Sequence, residues 1–369
     1  MNGVSIGTGA RALESQDRCN RFARLSAPAA GGVLAFLVAL IVLGVNLPGR
    51  PTPVPSAPGR DDIGLYSRVI DRVRAGEPYA PAAIAEQRAA GYPVRPFVAV
   101  RPPVLAVALS WLPNRLTADV LLAALAAMVI IAWTTRLRPV RTSIAWLAAT
   151  PLIVFTGVEG TMTLAGMSRL HETWAGLLIA LSLALRTDRR FAAAVTLGVL
   201  AGMIRELAMP YLVVMALVAL AERKRAEAAA FALALGACLA ALALHAATVA
   251  PLLTSHDMAS PGWVTFGGWR FAVSTAKWNF IALRLGAWAG AAILPLAIVG
   301  AVSRKDGLGL RLACLIVGYT LGFMVIGRPW NSYWGLITAP LTAVALCFAP
   351  WAVRDLVRRA ANGRHAAPV

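Results

Sequence analysis

Acidic residues are scarce in this chain of 369 residues: 17 Asp and Glu stand against 35 Lys and Arg. Charged residues of either sign make up only 14%, whereas 59% are hydrophobic and the mean hydropathy is +0.68. So little charge excludes an ordinary soluble domain, in which roughly a quarter of the residues are charged. Metal-binding material is equally thin. The four cysteines, Cys19, Cys238, Cys314 and Cys347, show neither ligand spacing nor a disulfide framework, and no HExxH occurs. His171 and Glu172 are neighbours that point apart on a helix, and His256-Asp257 alone is too little for a metal, so no metal and no cofactor are expected. The net charge of +18 does not indicate nucleic acid, because the basic residues lie in short clusters between apolar runs.

Those runs are what the chain has in abundance. The first extends from about Gly31 to Leu47 behind Arg11, Arg18, Arg21 and Arg24. It is close to the length a bilayer requires, and NLPGRPTPVP after it is a poor cleavage site, so a retained span is expected. Further spans are expected near 117–135, 142–158, 172–186, 191–206, 207–221, 228–250, 284–303, 309–327 and 335–353. The fold expected is an all-α polytopic membrane protein of about ten transmembrane helices. Its transmembrane domain covers 30–353, with cytoplasmic tails at 1–29 and 354–369 and an external loop at 49–116.

Charge settles the doubtful segment Pro102–Pro113. If it does not cross, Arg136/Arg138/Arg141, Arg186/Arg189/Arg190, Arg223/Lys224/Arg225, Arg304/Lys305/Arg311 and Arg354/Arg358/Arg359 share the cytoplasmic side, as the positive-inside tendency requires. It is therefore read as a juxtamembrane or re-entrant helix. The outer side then collects Asp61, Asp62, His171, Glu172, Arg205, Glu206 and Arg328 with Trp263, Trp269, Trp278, Trp330, Tyr333 and Trp334.

Residues 61–103 form the long polar stretch. Asp61 and Asp62 precede an amphipathic helix at about Ile63–Ala75, with Arg68, Arg72 and Arg74 on its polar side and Gly76 as its stop. Paired carboxylates at a membrane surface suit general-base work, although Asp62 also suits a helix N-cap. Arg205-Glu206, in GMIRELAMPY, joins two apolar runs with hardly any loop. Such charges are functional or form an interfacial pair that reaches water. GRPWNSYW at 327–334 is an aromatic loop, either an interfacial belt or a sugar- or lipid-contact surface.

The loop resembles the first external loop of the GT-C superfamily of integral-membrane glycosyltransferases. The resemblance rests on Asp61-Asp62 after span one, Tyr66, Gly76 with Pro78-Tyr79, Gly91-Tyr92-Pro93, and Arg101-Pro102-Pro103 entering a short apolar helix. It implies transfer of a sugar from a polyprenyl-phosphate donor to an acceptor hydroxyl on a glycan or lipid at the outer face. The implied setting is a bacterial inner membrane with both termini cytoplasmic. Asp62 is then the base, with Asp61 as the alternative. Arg101, Arg205 and Arg328 are candidate phosphate ligands, since guanidinium forks suit phosphate oxygens. Glu206, His171, Glu172, Tyr66 and Tyr92 complete the candidate substrate-binding set. A lipid or solute transporter would prefer internal repeats and mid-span charges, which the chain does not display. A noncatalytic membrane scaffold is the remaining alternative.

Overall fold

The structure is a computed structural model that describes residues 20–46, 61–140, 143–162, 166–279 and 284–362. Cys19, Arg11, Arg18, the proline-rich connector 47–59 and Arg141 lie outside the described residues. The chain is 79% helix, with no strand among the described residues. Helices α1 (Ala27–Asn46), α2 (Asp62–Arg74), α3 (Tyr79–Ala89) and α4 (Val104–Ser110) are followed by α5 (Arg115–Leu137), α6 (Ile144–Val158) and α7 (His171–Leu185). Next come α8 (Ala192–Ile204), α9 (Met209–Ala221), α10 (Arg225–Val249) and α11 (Gly268–Ala276). The chain ends with α12 (Ala287–Ser303), α13 (Gly307–Val325), α14 (Ala339–Leu346) and α15 (Ala349–Asn362).

Every apolar segment expected from hydropathy is helical. Among the described residues, five helices are long and apolar enough to cross a membrane, and six if the bent pair α14–α15 counts as one. Helices α7, α8, α9 and α12 are apolar but shorter. The lipid-compatible exterior is plain on α1, α5 and α10, where Phe36, Leu116, Ile131, Leu233 and Leu244 are exposed. Helix α7 is the opposite case. It is buried on all sides, packs against α5, α8 and the 3-10 segment Pro329–Ile337, and forms the axis of the core.

The segment expected as one span at 335–353 is instead broken. Helices α14 and α15 meet at a bend of 46°, because Pro350 has no N–H to give and its ring clashes with the preceding turn. Pro102 and Pro103 before it and Pro113 after it bound α4, whose seven residues make about 10 Å of helix, far short of a bilayer.

Long helices separate two polar ends. Helix α5 has 23 residues, about 35 Å. At one end Arg115 donates to Asp71, and at the other Arg136 donates to the carbonyls of Leu183, Ala184 and Arg186. The second end also gathers the start of α1, the end of α12 and α15, through Arg21 N–H to Ser303 O at 2.7 Å and Asn20 to Asp355 at 2.6 Å. The first end carries loop 61–103 and the candidate site.

Candidate active site

Helix α2 presents Leu65, Val69 and Ile70 to the interior and its arginines to α3. Arg72 grips Glu77 at 2.6 and 2.7 Å, and Arg68 and Arg72 reach Glu86 at 2.8 and 3.2 Å. These arginines therefore join the two loop helices. Gly76, at φ +94°, makes the left-handed turn between them. Helix α4 packs beside α2, and Tyr79 donates its hydroxyl to the Arg101 carbonyl at 2.7 Å. The backbone of Arg101 is thus anchored immediately before the two prolines, and its side chain projects inward.

Asp61 occupies the N-cap position of α2, yet no side-chain cap hydrogen bond forms there. Asp62 is the first helical residue, and its Oδ1 accepts the Tyr92 hydroxyl at 2.7 Å. Gly91, at φ +67°, turns the chain that delivers Tyr92.

A strap at 253–267 closes the site from above. Val94 and Arg95 N–H donate to Met258 O, and Ser260 N–H donates to Arg95 O at 2.6 Å. Arg88 clasps Asp257 at 2.7 Å through two nitrogens. That guanidinium, followed by the Thr254 N–H, holds the Asp257 carboxyl well below the usual carboxylate range. At its far end the strap joins α13 through Thr265 N–H to Val325 O and Gly327 N–H to Trp263 O. Arg328 donates to Gly262 O and lies over the Trp330 ring, 5.3 Å from its centroid.

Loop, strap and 3-10 segment enclose a cavity of about 770 Å³. Asp61, Asp62, Tyr66, Tyr92, Arg101 and Arg328 from the sequence-derived set line it, together with Trp263, Trp278, Trp330 and Tyr333. Arg101 lies on its inner side, with Nε 3.3 Å from the Tyr66 hydroxyl and Nη2 3.4 Å from that of Tyr333. Burial opposes the charge on Arg101, but Tyr66, Tyr333, Glu172 and Glu206 together raise its pKa, so it stays cationic. Burial likewise pushes the Tyr66 and Tyr333 phenols upward, which keeps them protonated while their oxygens accept from Arg101.

Arg205, Glu206, Glu172 and His171 stand behind this wall. Arg205 is 1% exposed and does not line the cavity. It bonds Glu172 at 2.6 Å, contacts Glu206, and lies 5.9 Å from the Trp334 ring centroid. Glu206 in turn is 3.8 Å from Arg101. The chain Glu172–Arg205–Glu206–Arg101 thus runs from the core to the cavity. His171 sets its ring edge-on to Tyr66 at 5.0 Å, and both ring nitrogens are buried without a hydrogen-bond partner. It borders a smaller void of about 20 Å³ that Tyr66, Gln87 and Arg101 also touch. Among the described residues, no group of three or more His, Cys, Asp or Glu side chains could hold a metal ion.

Close packing fixes the register of these parts. A Cβ on Gly335 would sit 1.9 Å from Thr275 O, and one on Gly176 would sit 2.3 Å from Leu336 O. The 3-10 segment that carries Tyr333 can approach α7 and α11 only through these glycines. Sequence reasoning named Tyr79 only within the loop motif, without its bond to Arg101, and missed Gln87 and the Arg88–Asp257 clasp. The available signal was their position within the one long polar stretch and the polar loop before α11. No family model matches the chain, and no curated protein or solved structure matches it either.

Proposed function

We propose that this chain is a membrane glycosyltransferase that moves a sugar from a polyprenyl-phosphate donor to an acceptor hydroxyl at the outer face of a bacterial inner membrane. The observation that carries this reading is the single cavity in which two carboxylates, Asp61 and Asp62, share walls with two guanidinium groups, Arg101 and Arg328. Asp62 takes the acceptor's hydroxyl proton as the acceptor oxygen attacks the anomeric carbon. The bond from that carbon to the phosphate oxygen breaks, and its electron pair leaves on the lipid phosphate. Arg101 meets the charge that develops there, supported by the Tyr66 and Tyr333 hydroxyls. The Tyr92 hydroxyl orients Asp62.

In this reading Arg205 acts on phosphate only through others: it holds Glu206, which flanks Arg101. The ten-span topology with both termini cytoplasmic belongs to the same proposal. Its support is that the basic breaks gather at one end of the bundle and the cavity lies at the other.

The test uses purified protein, a polyprenyl-phosphate sugar and a panel of acceptors. The wild type should release polyprenyl phosphate, and Asp62→Asn should stop release while the protein remains folded. Normal turnover in both Asp62→Asn and Asp61→Asn would remove the base assignment. Translocation of the lipid without sugar transfer would make the chain a transporter instead. A cysteine placed near 138 should resist an impermeant external reagent, and its labelling would refute the ten-span topology.

A further inference from the structure

The cavity is large, and its walls are not uniform. About 770 Å³ lies toward the upper part of the roughly 300–1,000 Å³ typical of small-molecule sites. Its charged and phenolic groups concentrate around Arg101, Tyr66, Tyr333 and Asp62. The strap side is built differently. There Trp263 and Trp330, from separate chain segments, line the cavity beside Ser260 and Asn331. Trp330 is 49% exposed at the rim, and its ring is steadied by Arg328.

We infer that the rim formed by Trp263, Trp330, Ser260 and Asn331 is a subsite for a saccharide acceptor, taking the sugar unit next to the one that carries the attacking hydroxyl. This inference rests on the glycosyltransferase reading. A pyranose ring has an apolar C–H face and a polar hydroxyl edge. Indole rings with the Ser260 hydroxyl on the same cavity wall match both. Trp263 and the Trp330 face that Arg328 leaves uncovered can stack on a sugar ring from two chain segments.

Other acceptor chemistries fit less well. An extended peptide would add to a free backbone edge, but the strap spends its own on Val94, Arg95 and Val325. A bare lipid alcohol has no hydroxyl-edged ring to set against the indoles and the Ser260 hydroxyl.

The experiment is a tryptophan-fluorescence titration of the full purified chain with maltotriose, cellotriose and mannotriose, each set against its monosaccharide. Release of polyprenyl phosphate from the donor is measured in parallel. At least one trisaccharide should bind roughly tenfold or more tightly than its monosaccharide. Trp330→Ala and Trp263→Ala should each erase that gain, and testing both guards against one variant failing to fold. Trisaccharides no better than monosaccharides across the panel, or a gain that survives in both variants, would overturn the inference. Donor release without a trisaccharide gain leaves the glycosyltransferase reading standing and removes only the saccharide subsite. Trisaccharide binding without donor release does the reverse.

Discussion

At one end of the bundle Arg186 and Arg311 share Glu227; at the other Arg205 joins Glu172 and Glu206. Both sets use the same residue types at similar burial. They differ in how fully they are satisfied. Arg186 bonds Glu227 at 2.8 and 2.7 Å, and Arg311 takes Glu222 at 2.7 and 3.0 Å and Glu227 at 3.2 Å. Lys224 adds Asp188 and Glu222, so three cations meet three anions, with Arg311 Nε left over. The other cluster ends on Arg101, whose guanidinium meets two phenols beyond 3.2 Å and a carboxylate at 3.8 Å. Glu206 Oε2 is buried with no partner. Buried charge alone therefore does not mark a site in an apolar chain. A site is marked where the charge is incompletely paired and faces a cavity.

The largest expected effect concerns the open end. Asp62→Asn should lower turnover by roughly 10²–10⁴-fold, as removal of a general base does, with little change in thermal midpoint. A comparable fall in midpoint would mean that Asp62 is structural, like the closed cluster. The second prediction concerns that cluster. Arg311→Ala leaves Glu222 and Glu227 short of a partner, and breaking a buried pair costs about 3–5 kcal/mol. Thermal unfolding should show that loss, and an Arg311→Ala protein as stable as wild type would erase the contrast between the two ends.

A smaller effect separates the members of the open cluster. Arg101→Lys keeps the charge but loses the planar fork, and should weaken donor use on the order of tenfold in kcat/KM. Equal activity would move the phosphate away from Arg101.

The smallest effect is on the strap. The Asp257 carboxyl has a folded pKa below its unfolded value, so its contribution is present above about pH 4 and is lost as pH falls through the folded value. Amide exchange at Thr254, whose N–H donates to Asp257, should accelerate over that acid range. Arg88→Ala should produce the same faster exchange at neutral pH.

Much of the architecture was legible in the sequence, because hydropathy, proline and caps act over a few residues. The apolar runs, the helix after Asp61-Asp62, the short helix after Pro102-Pro103 and the stop at Gly76 all rest on such local causes. The common side of Asp62, Arg101 and Arg328 was also legible, since charge asymmetry assigns loops to sides. The break before Pro350 was readable in principle, but hydropathy smooths over it. The partners of Arg186 and Arg311 were not legible. Expected only as cytoplasmic-side charges, they are 3% and 0% exposed and paired with Glu227 across 41 and 84 residues of chain.

The helical, apolar character of the chain, and the loops that carry the carboxylates, arginines and aromatics, can be read segment by segment. These follow from transfer free energy and backbone geometry, which each segment expresses alone. Assembly of the bundle is what brings Tyr92 to Asp62, withdraws Arg205 behind Glu206 and lets the strap complete a wall. Those contacts depend on where helices cross and how closely glycines such as Gly176 and Gly335 let them approach. Packing of that kind is a property of the assembled bundle, and no single segment encodes it.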